Sequence, residues 1–210
     1  MCQSIYKIIL GLIIIYIFIN INSKKFKGGN NLISYISKLY INTPNIYGIH
    51  HNKYNTVYGE LNLEELTKIF HNITIKKNDI FYDLGCGSGK INLYMALKYN
   101  IKSIGIEIIE ERINVAKSIE KKVKNKNIIF KNNDMFKENF SNGTIFYGYN
   151  LTWPKKIDIK IIKKIKKEAK KCKYIILTKL LEHPYIKLYK TLDNINFSSH
   201  VGSIYIYKLV

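Results

Sequence analysis

One short stretch limits what this chain can become: Asp79-Ile80-Phe81-Tyr82-Asp83-Leu84-Gly85-Cys86-Gly87-Ser88-Gly89-Lys90. An apolar run ends in an acid, passes directly into Gly85, Gly87 and Gly89, and continues into Ile91 to Leu97, which reads as a helix. Strand, tight turn and helix in that order open an α/β fold. Alternate glycines let the backbone take positive φ and let a ligand approach bare peptide N–H groups at a helix N-terminus. Such a turn also occurs simply to pack a strand on a helix, so the neighbouring strands decide its meaning.

The second strand, Ser103-Ile104-Gly105-Ile106-Glu107, again ends in a carboxylate. Glu107 lies 24 residues beyond Asp83, close to the about 20 expected of an acid that grips a ribose hydroxyl. A third segment, Asn127 to Phe130, leads into Asn132-Asn133-Asp134-Met135, where Asp134 can accept from an adenine amine and Met135 can pack on the ring. Two other nucleotide motifs fit worse. A dinucleotide-binding loop wants G-x-G-x-x-G, and here the third glycine comes too early; a P-loop wants a different glycine spacing ahead of its lysine than Lys90 has.

The order of these elements resembles the class I S-adenosylmethionine-dependent methyltransferases, with Asp83, Gly85, Cys86, Gly87 and Gly89 at the cofactor loop. That resemblance implies an α/β Rossmann-like sheet of seven strands with helices on both faces, and S-adenosylmethionine as cofactor. An acid beside the glycines suits a ligand with a sulfonium, because Asp83 would repel a pyrophosphate. Tyr58-Gly59-Glu60 ahead of a helix, then the glycine loop, Gly105-Ile106-Glu107 and Asn133-Asp134-Met135-Phe136, are similar to the disruptor-of-telomeric-silencing family. These are the histone lysine methyltransferases that lack a SET domain, and the similarity runs from about Val57 to the C-terminus. It implies that Tyr58 and Glu60 line the methionine end of the cofactor, Asp83 and Gly85 its amino-acid moiety, Glu107 the ribose and Asp134 the adenine. The lysine channel falls on Phe146-Tyr147-Gly148-Tyr149-Asn150-Leu151-Thr152-Trp153-Pro154, where Asn150 and Trp153 can be matched. Tyr58, Asn150, Trp153 and Tyr205 are thus the expected catalytic residues, with Tyr149 beside them. The family's glutamine after the cofactor glycines is Lys90 here, and its threonine after Tyr-Gly-Glu is Leu61.

At 210 residues the chain suits one domain with an appendage. Lysine and arginine number 34 against 15 acids, a formal charge of +19, which can attract nucleic acid or an anionic membrane. The same excess follows from a composition rich in Ile, Asn, Lys and Tyr throughout. The three cysteines, Cys2, Cys86 and Cys172, have no paired or metal-ligand spacing, and the adjacent His50 and His51 lack a third ligand, so no metal is expected.

Residues 1–27 form an N-terminal hydrophobic segment. The uncharged run Ile8 to Ile19, followed by Lys24, Lys25 and Lys27, falls short of the ~20 residues that span a bilayer, but flanking Ile5, Tyr6 and Ile21 extend it. It reads as a hydrophobic helix serving as membrane anchor, with the catalytic domain facing the cytoplasm. Residues 28–56 read as a linker and cofactor lid, with a short helix over Leu32 to Tyr40 and a loop over Ile46 to Thr56. The methyltransferase domain occupies 57–210. Within it Asn62 is the expected N-cap of a helix reaching His71-Asn72, Ile157 to Lys171 a basic amphipathic helix, and Lys173 to Thr178 the fifth strand. Tyr189 to Phe197 and Ser203 to Leu209 are the expected antiparallel closing pair. The expectation is a monomeric methyltransferase acting on a protein lysine. Non-histone protein, RNA or small-molecule acceptors, and a catalytically inactive scaffold of the same fold, are the alternatives.

Overall fold

The computed structural model describes residues 29–47 and 58–210. Seven strands among them form one sheet: β1 (Ile80–Leu84), β2 (Lys102–Glu107), β3 (Ile128–Asn132), β4 (Ile145–Gly148), β5 (Tyr174–Leu177), β6 (Ile186–Asn196) and β7 (Val201–Leu209). Their order is β3-β2-β1-β4-β5-β7-β6. The first five run parallel, and β7 inserts antiparallel between β5 and β6. The helices are α1 (Gly29–Leu39), α2 (Glu65–Phe70), α3 (Lys90–Tyr99), α4 (Glu110–Val123) and α5 (Lys155–Glu168).

Parallel strands need long crossovers and come to lie between two helical layers, so their side chains are apolar on both sides. β4 and β5 are buried along their whole length. The period of two sorts them: Phe81, Ile145, Tyr147 and Ile176 pack with α1 to α4, whereas Tyr82, Phe146, Ile175 and Leu177 pack with α5. Helices therefore cover both faces, as expected. α1, expected in the linker, sends fully buried Leu32 and Ile36 into the same core as the sheet and packs on α3. The crossover α4 went unassigned in the sequence, yet the parallel pairing of β2 with β3 requires such a connection.

Two boundaries differ from expectation for a visible reason. Asn62 does not cap α2; its N–H donates to the Asn196 carbonyl at 3.1 Å, and Leu61 forms a bridge with Phe197. The segment before α2 is held extended against the end of β6, so the helix begins at Glu65. α5 begins at Lys155, directly behind Pro154, whose fixed φ suits a helix start.

No helix among the described residues is long and apolar enough to cross a membrane. The run Ile8 to Ile19, and most of the loop expected over the cofactor mouth, lie outside the described residues.

β1 is the strand from which the chain turns to β2 on one side and to β4 on the other. Sheets of this type bind ligands beyond the carboxyl ends of the strands at such a switch point. The glycine loop leaves β1 there. Gly89, with φ of 81°, starts α3, and a Cβ on it would lie 2.3 Å from the Phe130 ring. This glycine, expected at the cofactor, packs α3 onto β3 and is not among the residues lining the cavity. Gly89→Ala combines left-handed strain with overpacking and is expected to destabilise the fold by about 2–4 kcal/mol, read as a lower denaturant midpoint.

Candidate functional site

A cavity of about 650 Å³ opens over the carboxyl ends of β1, β2, β3 and β4. Its volume is in the range of about 300–1,000 Å³ typical of small-molecule sites. The floor is the glycine loop, pinned to β2 by the N–H groups of Gly85 and Cys86, which donate to the Ile106 carbonyl at 2.8 and 3.0 Å. Gly85 and Gly87 have φ of 84° and 54°. A Cβ on Gly85 would meet nothing within 4 Å, so this backbone faces the open cavity; one on Gly87 would strike the Tyr58 ring at 2.5 Å.

Glu107 closes β2 and is buried. One carboxylate oxygen accepts the Gly87 N–H at 3.0 Å, and the other accepts those of Ile108 and Ile109 at 2.8 and 2.9 Å. The carboxylate is thereby aimed along the cavity floor with lone-pair capacity left for a ligand's hydroxyls. Asp83 lies deeper, 2% exposed. In the amide orientation that satisfies all neighbours, Asn92 donates to Asp83 Oδ2 at 3.0 Å and accepts the Gly105 N–H at 3.2 Å. Burial, and then the Glu107 carboxylate, push the Asp83 carboxyl well above the usual carboxylate range. Burial together with Asp83 and Glu107 likewise pushes the Cys86 thiol up, which keeps it protonated and a poor nucleophile.

At the β3 end, Asp134 folds into a tight turn in which its Oδ1 accepts the Phe136 N–H at 2.9 Å, while Asn133 Oδ1 accepts the Asp134 N–H at 2.9 Å. Ile108, Met135 and Phe136 add apolar wall beside it. The opposite end is built on Glu60. It accepts from the Tyr58 hydroxyl, from Ser88 Oγ at 3.2 Å and from Lys90 Nζ at 2.5 Å. Burial and the Glu60 charge push the Tyr58 phenol far above its ordinary range, so it acts as a donor and not as a base. Glu60 stays in place because its N–H donates to Ser198 Oγ at 3.1 Å and its carbonyl accepts the Ser198 N–H at 2.8 Å.

The segment after β4, where the lysine channel was expected, differs from expectation. Tyr149 and Trp153 both line the cavity. The Tyr149 ring crosses Gly59 so closely that a Cβ there would be 2.7 Å from it. Asn150, in contrast, is fully buried beneath the mouth, where its Oδ1 accepts the Thr178 N–H at 2.9 Å. Just past the end of β4 the chain turns, and that amide satisfies the end of β5 and does not reach the cavity. Tyr205 sits on β7 opposite Leu177, packed on the α5 side of the sheet, away from the cavity lining. Alternation along β7 fixes this, since Ile204 and Ile206 take the other face. Neither Asn150 nor Tyr205 lines the cavity.

Three contributors went unnoticed in the sequence. Arg112, from the start of α4, lines the cavity with its guanidinium 4.6 Å from the Tyr58 ring centroid. It is the one arginine among the chain's basic residues, and that oddity was the available signal. The Tyr40 hydroxyl donates to the Ser88 carbonyl at 2.8 Å, and Tyr47 stacks edge-on against Tyr58 at 5.1 Å. Both precede the motifs in the chain, and nothing in local spacing points to them. Among the described residues no cluster of His, Cys, Asp and Glu is arranged to hold a metal.

These residues fit S-adenosylmethionine group by group: Asp83 is a buried acid for an ammonium, Glu107 an acceptor for a diol, Asp134 with Met135 and Phe136 a site for an amino-purine. Comparison with known proteins agrees. A family model described as histone methylation protein DOT1 matches residues 43–208. A protein-lysine N-methyltransferase of Saccharolobus islandicus is 40% identical over 81 residues, 37% of this chain and 50% of that protein. A histone-lysine N-methyltransferase of Dictyostelium discoideum, H3 lysine-79 specific, is 27% identical over 139 residues, 60% of this chain and 8% of that protein. The chain thus spans half or less of the length of these relatives. Among solved structures, an RNA methyltransferase from Salinibacter ruber in complex with S-adenosyl-L-homocysteine superposes with a TM-score of 0.56 at 17% identity, covering 70% of this chain and 88% of that one. Magnesium protoporphyrin IX methyltransferase from Synechocystis, with bound SAM, gives 0.51 at 14% identity, covering 62% and 70%. At these identities the two structures establish the fold alone.

The raised Asp83 has a consequence for stability. Because its native pKa lies above the unfolded value of about 3.9, its contribution is fully present below that pH and is lost as pH rises through the native value. Asp83→Asn removes the buried charge and is expected to melt higher than the unmodified ligand-free protein at about pH 8, with the gap closing towards about pH 4. A gap independent of pH in thermal melts would contradict this.

Proposed function

The chain belongs to the DOT1 histone methylation family, and from that premise we propose that it is an S-adenosylmethionine-dependent methyltransferase whose acceptor is a protein lysine. The observation that carries the reading is the meeting, in one cavity, of Asp83, Glu107 and Asp134 with the aromatic wall of Tyr58, Tyr149 and Trp153. When bound, S-adenosylmethionine supplies a methyl group on a sulfonium, open to in-line attack.

The residues of the chain do the rest. Asp83 holds the ammonium, which draws its carboxyl back towards the charged form. Glu107 holds the ribose hydroxyls, and Asp134 accepts from the adenine amine. Tyr58, locked to Glu60 and faced by Arg112, closes the methionine end. Lys90, standing where the family carries glutamine, balances the Glu60 charge. Tyr149 and Trp153 exclude water and align the acceptor nitrogen. A lysine amine with a pKa near about 10.4 must reach the methyl group uncharged, and the apolar wall favours its neutral form by penalising the buried cation.

The apolar N-terminal run completes the proposal as a membrane tether that holds the domain beside its protein substrate. Its support is the sequence of residues 1–27.

The test is transfer of radiolabelled methyl from S-adenosylmethionine by the full chain to core histones, nucleosomes, a membrane-protein extract and total RNA in parallel, with Asp83→Ala as control. The expected result is base-stable label in a protein fraction, lost in the variant. Label in RNA alone would overturn the lysine reading, and bound cofactor with no label anywhere would overturn the activity.

A further inference from the structure

Below the cavity mouth lies a buried polar cluster that cofactor binding does not use. Asp158, in the first turn of α5, is 1% exposed and Asn150 is 0% exposed. Asn150 Nδ2 donates to Asp158 Oδ1 at 2.9 Å, and Asn150 Oδ1 accepts the N–H groups of Thr178 and Lys179 at 2.9 and 3.1 Å. Lys179, just past β5, places its Nζ 2.6 Å from Asp158 Oδ2 and donates to the Trp153 carbonyl at 2.7 Å. The Trp153 N–H in turn donates to the Asn150 carbonyl at 3.1 Å.

Every side-chain bond in this cluster crosses between three pieces of chain: the end of β5, the turn after β4, and the start of α5. Apolar packing can join such pieces without the desolvation cost of a buried carboxylate. What packing does not supply is direction. Donors and acceptors with fixed angles hold a turn in one conformation, and the buried Asp158 Oδ2, which has no hydrogen bond, is balanced by the Lys179 ion pair. The turn so held is the one that carries Tyr149 and Trp153 into the cavity. Trp153 is gripped twice, by Lys179 on its carbonyl and by the floor of Gly148, where a Cβ would lie 3.0 Å from the indole.

We propose that Lys179, Asp158 and Asn150 form a positioning clamp that sets Trp153 and Tyr149 at the acceptor entrance, separately from the cofactor site. The clamp explains why Asn150 matches a channel motif in sequence while touching no channel: it acts through the turn. The inference rests on reading this mouth as the acceptor entrance. The expected cofactor-binding residues Asp83 on β1, Glu107 on β2 and Asp134 just past β3 share no hydrogen bond or ion pair with the clamp.

The test uses the full chain carrying Lys179→Met with Asp158→Asn, which removes both charges together and leaves neither buried alone, and Lys179→Arg as the conservative variant. Trp153 is the single tryptophan, so its emission and its quenching by acrylamide report the turn directly. The double variant is expected to show red-shifted emission and faster quenching, S-adenosylmethionine affinity within about twofold of the unmodified chain, and a KM for purified core histones raised about tenfold. Lys179→Arg, which keeps a cation and forked donors, is expected to restore emission and KM towards the original values. Unchanged emission and quenching would overturn the clamp, as would a parallel loss of cofactor affinity, which would mark the cluster as general support of the fold. Should core histones accept no methyl group even from the unmodified chain, the lysine reading fails by itself, and the fluorescence and cofactor titrations still decide the clamp.

Discussion

The Glu107 carboxylate accepts the Gly87 N–H through one oxygen and the Ile108 and Ile109 N–H groups through the other. Hydrogen bonds to a charged acceptor contribute about 1.5–3 kcal/mol each, so this one side chain fixes the glycine loop to the end of β2. The rest of the site depends on that fixation. Gly87, once placed, gives Tyr58 the room to lie over the loop, and Tyr58 orients Glu60. Gly85, at the same turn, offers its bare backbone to the cavity. The sheet order makes the arrangement possible, because β1 is the strand with β2 and β4 on opposite sides and the crevice opens at its end.

Two buried acids, Asp83 and Glu107, lie on the floor, and burial, with the Glu107 carboxylate after it, pushes the Asp83 carboxyl up. A protein would not keep such a pair for stability. It suits a ligand that brings positive charge, and it explains why phosphate-bearing cofactors are excluded from a loop that otherwise has the glycines they favour. At the far end the charge is already balanced, since Lys90 pairs with Glu60. The site is thus acidic at Asp83 and Glu107 and charge-balanced at Glu60.

Much of this was legible in the sequence because the informative residues lie at or just past the ends of apolar runs. Asp83, Gly85 and Glu107 follow directly on apolar runs, Gly87 and Asp134 come a few residues later, and a strand end fixes where the next side chain goes. The acceptor wall was less legible. Asn150 and Trp153 are three residues apart in an irregular turn, where spacing gives no direction, and only the buried partners Thr178 and Asp158 reveal that one points inward and the other towards the cavity. Tyr205 was misplaced because alternation tells that a residue faces one side of the sheet without telling which. Arg112, Tyr40 and Tyr47 reach the site from other helices and loops, contacts that tertiary packing alone creates.

The most direct measurement is a calorimetric titration of S-adenosylmethionine into the unmodified chain and into Glu107→Gln. Glutamine keeps the size of the side chain but turns one acceptor into a donor that faces a backbone N–H, so both the loop and the ribose contact suffer. One molecule bound per chain, with affinity reduced at least about tenfold in a variant that retains its circular dichroism, is the predicted result. Equal affinity in the two proteins, or no binding by the unmodified chain, would contradict the assignment of this cavity to the cofactor.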